Sequence, residues 1–220
     1  MFDVAVTARM SLADRRAQLI DAALAVATAD GIAATTVRRV AEQAGVALGV
    51  VHYCFADKDE LFAALATKIV DDLSVAGTEG LILDESAPDL ATALRSAIAG
   101  LWASIEATPN EQLLTYEITT YALRDRSLRS VAIRQYEASQ AAAEALLSLA
   151  ASACGATWLC PVADLAAEAL AFVDGVTLRW LVDGDAHRAQ VRLDGFAGYL
   201  ATQVKPRRRS AKKKTERTSR

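Results

Sequence analysis

The fold of this chain is decided by residues 35–61, TTVRRVAEQAGVALGVVHYCFADKDEL. Apolar residues at Val40, Ala44 and Val51 follow the spacing that buries one face of a helix. Gly45 stands where the chain must turn, and a residue without a Cβ adopts such a backbone conformation cheaply. The pattern predicts helices over residues 37–44 and 48–54. Two short helices joined in this way form a helix-turn-helix, whose second helix can enter the major groove of DNA.

The segments on either side of this stretch also carry helix boundary signals. A helix is expected from Leu12 to about residue 29, with Ser11 as its N-cap and Gly31 as its stop. A fourth helix opens at Asp57, which forms a capping-box pattern with Glu60, and its apolar stripe continues to about residue 75. These signals predict a three-helix DNA-binding domain over residues 11–57.

The rest of the chain is predicted to form a helical body over residues 58–204. We expect a loop from Thr78 to Pro88, because Gly77 and Gly80 lie at its start. Beyond it, apolar periodicity predicts five helices, at about residues 89–107, 110–124, 127–154, 162–183 and 187–203. The fold class is therefore all-α, a helix-turn-helix head followed by a helical bundle.

The charge of the chain is unevenly distributed. The net charge is −3, but residues 205–220 hold nine of the 24 basic residues and one of the 27 acidic residues. Residues 1–204 consequently carry 15 basic and 26 acidic residues, a net charge of −11. We expect the terminal segment to be a disordered basic tail that attracts a polyanion without sequence preference, or a merely solvated tail.

Several classes of protein are disfavoured by the composition. No apolar run approaches the 18 residues of a membrane span, and the first ten residues do not resemble a signal peptide. The three cysteines form no C-x-x-C pair, which favours a reducing, cytoplasmic location. Only two histidines are present, and no catalytic or nucleotide-binding motif occurs. We expect no enzyme activity, no metal and no cofactor.

Residues 11–75 resemble the DNA-binding head of TetR-family regulators. The matching features are the motifs T-T-V-R-x-V-A-x-x-A-G-V, G-x-x-H-Y-x-F and D-K-D-E-L, in this order and spacing. The resemblance implies a homodimer whose C-terminal body binds a small-molecule effector. It covers the head specifically, whereas the body agrees only in the number and length of its helices.

Residue chemistry and this resemblance together suggest a set of DNA contacts. Helix starts and basic side chains can hold phosphates, and apolar groups can touch a thymine methyl. Alternatively, the arginines are a solvated helix face and the histidine is structural. The apolar pair Ala47–Leu48 departs from the family pattern, so the operator sequence is not readable. The candidate contacts are Thr36, Arg38, Arg39, Leu48, Gly49, Val50, His52, Tyr53 and Lys58.

The body provides candidates for a dimer face and an effector pocket. Two apolar stripes on the helix at 162–183 exceed what one core contact needs, so part of them is predicted to pair with a second copy. Aromatic side chains and one carboxylate on an apolar line could surround a cationic or hydrogen-bonding effector. Both sets could instead fill a monomer core, and the glutamate could be exposed. The dimer candidates are Leu165, Ala169, Val176, Trp180, Phe196 and Leu200, and the pocket candidates are Trp102, Tyr116, Glu117, Tyr121, Tyr136 and Phe172.

These features favour a ligand-responsive transcriptional regulator. By resemblance, the common outcome is a repressor that leaves a palindromic operator when an effector binds. The expected partners are double-stranded DNA, a second copy of the chain and an unknown small molecule, with no membrane. The alternative is a helical sensor or protein-interaction module that does not bind a specific operator.

Overall fold

The computed structural model describes residues 10–83, 89–125 and 128–205, and over these residues the fold is all-α, as predicted. Three helices and a short 3₁₀ turn at Ile32–Ala34 form the head: α1 (Leu12–Asp30), α2 (Val37–Ala44) and α3 (Leu48–Cys54). Six longer helices form the body: α4 (Lys58–Leu83), α5 (Leu90–Ala107), α6 (Pro109–Arg124), α7 (Arg129–Ala153), α8 (Val162–Asp183) and α9 (Ala186–Thr202).

Local signals set the helix boundaries of the head. The Ser11 hydroxyl accepts the N–H of Asp14 at 3.1 Å, and so caps α1. Gly31 ends α1 with φ of +81°, and Gly45 ends α2 in the left-handed region with φ of +65°. The predicted limits of α2 and α3 agree with the structure to the residue. The predicted cap Ser127 and the basic tail from residue 206 onward lie outside the described residues.

The head has a small core of its own. Leu19 of α1, Val40 of α2 and Val51 of α3 are almost completely buried against one another. Leu61, in the first turn of α4, joins this cluster. The body therefore begins inside the core of the head, and α4 belongs to both units.

The loop predicted at residues 78–88 is wrong for residues 78–83, because α4 continues to Leu83, and residues 84–88 lie outside the described residues. Its two glycines serve helix packing instead of a turn. A Cβ on Gly80 would lie 2.7 Å from the carbonyl oxygen of Ser96, and one on Gly100 would lie 2.7 Å from that of Ala76. The backbones of α4 and α5 thus cross at a distance that excludes side chains, and this crossing holds the C-terminal part of α4 in place.

A second core joins the head to the body. Ala27 and Ile32 of the head pack with Phe62 and Leu65 of α4 and with Ile118 of α6. Two further apolar clusters hold the body together, one mainly among α5, α7, α8 and α9 and the other around Trp102 and Trp180. Apolar packing is therefore continuous from the head through α4 and α6 into the body.

Candidate functional site

The inner side of α3 is anchored by side chains of α1. The guanidinium of Arg16 donates to the carbonyl oxygen of Cys54, pairs with the Glu60 carboxylate at 2.8 Å, and lies 4.2 Å from the centre of the Phe55 ring. Gln18 donates to the carbonyl oxygen of Ala44 at 3.1 Å, at the end of α2. Sequence reasoning missed both anchors, because their acceptors are backbone groups distant in sequence.

The outer side of α3 exposes four of the five DNA contacts predicted on this helix. Tyr53 is 77% exposed and Leu48 is 45% exposed, while Gly49 and His52 are also exposed. Val50 is half-buried and packs against the head core. The helix thus has an anchored inner face and a free outer face that mixes aromatic, imidazole and apolar groups.

The predicted contacts on α2 are exposed but already paired. The Thr36 hydroxyl accepts the N–H of Arg39 at 3.2 Å and caps α2. Arg38 pairs with Glu42 at 3.0 Å, and Arg39 pairs with Asp30. Exposed ion pairs of this kind contribute little to stability, so a DNA phosphate can replace the carboxylate as the partner of either arginine.

Lys58 is placed differently from the other predicted contacts. Its ammonium group lies 4.7 Å from the ring centre of Phe62 and 5.6 Å from that of Tyr121. Burial lowers the pKa of Lys58, and the nearby Asp59 carboxylate opposes this decrease. The side chain therefore folds over the head–body junction, where a cation–π contact holds it.

Glu117, predicted to face the effector pocket, lies instead at the junction between head and body. Its Oε2 accepts the backbone N–H of Ile32 at 3.1 Å. Ile32 is the first residue of the 3₁₀ turn. A Cβ on Gly31 would lie 3.3 Å from the same oxygen. The carboxylate of α6 thus directly holds the segment that links α1 to α2.

A cavity of about 160 Å³ lies in the centre of the body. Helices α4 to α9 all contribute to its walls, which are mainly aliphatic. Of the six predicted pocket residues, Tyr116 alone is among its lining residues in the described part of the chain. The cavity also contains Asp174, which sequence reasoning missed although it is an isolated acid within an apolar run of α8.

Two tyrosines bind the segment around Asp174. The Tyr136 hydroxyl donates to the Asp174 carboxylate at 3.0 Å, and the Tyr116 hydroxyl donates to its backbone carbonyl at 3.1 Å. Burial raises the pKa of Asp174, while the bonds from the tyrosines oppose this rise. Burial and the Asp174 charge raise the pKa of Tyr136 to about 12. Both phenols therefore act as neutral donors near neutral pH.

The remaining predicted pocket residues are engaged in aromatic packing. Phe172 stacks on Phe196 with ring centres 4.2 Å apart, and Trp102 meets Trp180 edge-to-face at 5.2 Å. Tyr121 packs edge-to-face on Phe62 in the junction core. These side chains thus support the surroundings of the cavity without lining it.

The predicted dimer residues mostly face inward. Leu165, Val176, Phe196 and Leu200 are buried within the protomer, and Ala169 and Trp180 are half-buried. The stripe of α8 that carries Leu165, Ala169, Val176 and Trp180 faces the core, because α8 packs on α7 and α9. A different stripe on α8 is exposed and consists of small and aliphatic residues, namely Ala167, Ala171, Gly175, Leu178 and Val182.

The fold and the exposed α3 define a helix-turn-helix protein with a hollow helical body. Residues 19–65 match the family model described as "Bacterial regulatory proteins, tetR family". Across 86% of this chain and 97% of the other, the structure resembles a transcriptional regulator from Rhodococcus sp. Rha1, with a TM-score of 0.65 and 26% identity. The head of the chain therefore matches the TetR family, as the sequence predicted, and the whole chain shares the fold of a solved transcriptional regulator.

Two curated relatives match the head. The HTH-type nicotine-responsive transcriptional repressor HdnoR of Paenarthrobacter nicotinovorans is 45% identical over 65 residues, which are 30% of this chain and 34% of HdnoR. The HTH-type transcriptional regulator BetI of Paraburkholderia phymatum is 40% identical over 74 residues, 34% of this chain and 38% of BetI. The chain thus spans little more than a third of the length of these relatives, and the similarity does not extend to an effector.

Two further properties concern the described residues only. Within residues 10–83, 89–125 and 128–205, no helix is long and apolar enough to cross a membrane. Over the same ranges, no cluster of three or more histidine, cysteine or acidic side chains is arranged to hold a metal ion.

Proposed function

We propose that the protein is a homodimeric, ligand-responsive repressor that binds a palindromic operator through α3. The observation that carries this proposal is the division of α3 into two faces. Arg16 fixes its inner face to α1, while Leu48, His52 and Tyr53 remain free on the outer face. A rigidly held helix with unpaired outer groups is what insertion into a major groove requires.

The DNA contacts fall into two chemical groups. On α3, Tyr53 and His52 supply hydrogen-bonding aromatics, Leu48 and Val50 supply apolar surface, and Gly49 permits a close backbone approach. On α2, Thr36, Arg38 and Arg39 lie in or just before the first turn, where N–H groups and guanidinium groups attract phosphate. The α2 groups would set affinity and the α3 groups would set sequence preference.

The dimer face is proposed on the exposed stripe of α8. Leu178 is 48% exposed and Val182 is 76% exposed, and a Cβ added to Gly175 would meet no atom within 4 Å. Small residues at helical spacing allow a second helix to approach closely, and Val191 of α9 adds exposed apolar surface. Two copies joined here would present two α3 helices to two half-sites.

The effector response is proposed to run through α6. Tyr116 lines the cavity, and the next residue, Glu117, holds the head at Ile32. Tyr116 and Glu117 are consecutive residues of α6, so an effector that displaces this part of the helix would displace both. Helix α4, which lines the cavity and enters the head core, provides a second connection. An effector that prefers the displaced arrangement shifts the population away from the DNA-binding state.

The proposal is tested by footprinting on the intergenic DNA beside the gene, at two salt concentrations. We expect a protected near-palindrome bound by a dimer. Tyr53→Ala should weaken this binding, whereas Leu123→Ala, which shortens an exposed side chain of the body, should leave it unchanged.

A different outcome would favour the alternative sensor. Binding that is weak, blind to sequence and steeply dependent on salt, and that disappears when residues 205–220 are removed, would assign DNA attraction to the basic tail. The specific-operator proposal would then fail for this locus.

A further inference from the structure

The body cavity contains a carboxylate without a basic counterpart. Asp174 lines the cavity, and among the lining residues that the structure describes there is no lysine, arginine or histidine. The ion pairs formed within residues 10–83, 89–125 and 128–205 do not include Asp174 either. Its carboxylate receives a neutral donor, the Tyr136 hydroxyl. An ionised carboxylate in this half-buried position has lost part of its water without gaining an opposite charge.

Hydrogen bonding favours the ionised form of this carboxylate. The Tyr136 hydroxyl donates to Oδ2, and the bonds from Tyr116 and Tyr136 lower the pKa of Asp174. Burial acts in the opposite direction and is the larger influence. A bound cation would resolve this conflict, because it stabilises the charged form that burial penalises.

The remainder of the cavity suits an apolar molecule. Leu73, Ile98, Leu101 and Leu146 are among the aliphatic side chains that line it. Tyr116 also lines the cavity, and its hydroxyl donates to the backbone carbonyl of Asp174 at 3.1 Å. The occupant should therefore have one charged end and an otherwise apolar body.

The size of the cavity limits this occupant. Its volume is about 160 Å³, and cavities of about 150 Å³ accommodate a single benzene ring. We propose that the cavity binds a small organic monocation, an amine whose apolar part is about one six-membered ring, and that the Asp174 carboxylate pairs with its ammonium group. This inference rests on the proposed function, because it names the chemical class of the effector.

The test compares three probes of nearly equal shape and different charge. Benzylamine, benzyl alcohol and benzoate are titrated calorimetrically into the full-length protein without DNA. We expect benzylamine to bind at least about tenfold more tightly than benzyl alcohol, and benzoate to bind no more tightly than benzyl alcohol, since the half-buried Asp174 carboxylate attracts a cation and repels an anion. Equal affinities, preference for benzoate, or no binding of benzylamine would overturn the inference.

Variants of α8 assign the selectivity to one side chain. Asp174→Asn keeps the size of the side chain and an acceptor for Tyr136, and should weaken benzylamine binding about 30-fold with little effect on benzyl alcohol. Asp164→Asn removes an exposed acid from the same helix and should change neither. Retained benzylamine affinity in a folded Asp174→Asn protein, judged by its melting curve, would also refute the assignment.

Failure of this inference is distinguishable from failure of the proposed function. Operator footprinting without any probe tests the regulator alone. A footprint combined with charge-blind probe binding refutes the amine class and leaves the regulator. Selective, Asp174-dependent binding of benzylamine without a footprint supports the inference, while the specific-operator proposal fails for this locus.

Discussion

The hydrogen bond from Ile32 to Glu117 is the contact whose removal should be most informative. Glu117→Ala leaves the backbone N–H of Ile32 without its acceptor, in a residue that is only 4% exposed. An unpaired buried donor costs about 1–3 kcal/mol, and we take about 2 kcal/mol for this bond to a carboxylate. For a chain of this length, each kcal/mol lowers the melting temperature by about 2–4 °C, which gives a decrease of about 4–8 °C.

The assay is thermal unfolding followed by circular dichroism, at one fixed protein concentration because the proposed dimerisation would also affect the melting temperature. Two variants serve as controls. Glu117→Gln retains an oxygen that can accept the Ile32 N–H and should lose less than half as much stability. Glu137→Ala removes an exposed glutamate from α7 and should alter the free energy of unfolding by less than about 0.5 kcal/mol.

The same variant also tests transmission from cavity to head. If α6 carries the effector response through Glu117, the ratio of operator affinities with and without effector should move towards one in Glu117→Ala. A melting temperature equal to that of Glu137→Ala, with an unchanged effector response, would refute the role that we assign to this bond.

Three other predictions concern packing, assembly and charge. Gly80→Ala should destabilise the protein by about 1–3 kcal/mol in chemical unfolding, because the added carbon meets backbone, whereas Gly49→Ala, with open space around it, should stabilise α3 by up to about 1 kcal/mol. Leu178→Lys should yield monomers in analytical ultracentrifugation, and Leu113→Lys, at a similarly exposed position on α6, should not. Lys58→Met should leave the salt dependence of operator binding unchanged if the lysine stays at the junction, and a slope lower by about one would show a phosphate contact.

The ends of the helices in the head could be predicted because they depend on local chemistry. Thr36 caps α2 through its own side chain, and Gly45 ends it through its own backbone angle. Neither effect requires knowledge of the rest of the fold. The anchoring of α3 by Arg16 could not be predicted in this way, since its acceptor at Cys54 is a backbone group 38 residues away.

The body was predicted less well because tertiary packing gives its residues their roles. Gly80 in a sequence indicates a turn, but in the fold it permits α5 to approach α4. The apolar stripes of α8 have similar composition, and only the position of α7 and α9 determines that Leu165 is buried while Leu178 is exposed. Asp174 had a detectable signal, as an acid surrounded by apolar residues, whereas the position of Glu117 depended on the docking of the head.

The close crossing of α4 and α5 holds α4 near Gly80, so a tilt of α4 at this point would move its N-terminal end. Gly80 lies at the crossing, and Lys58 begins α4 next to the head; at 1.5 Å per residue the two positions are about 33 Å apart along the helix. A rotation of about 5° around the crossing would displace the head by about 3 Å, by the same helix geometry. In a dimer the two displacements add, and spin labels at the exposed Gln43 of both heads would record the change in separation. In the proposed dimer, a small adjustment around the cavity would thus become a misfit between the two α3 helices and two successive turns of DNA.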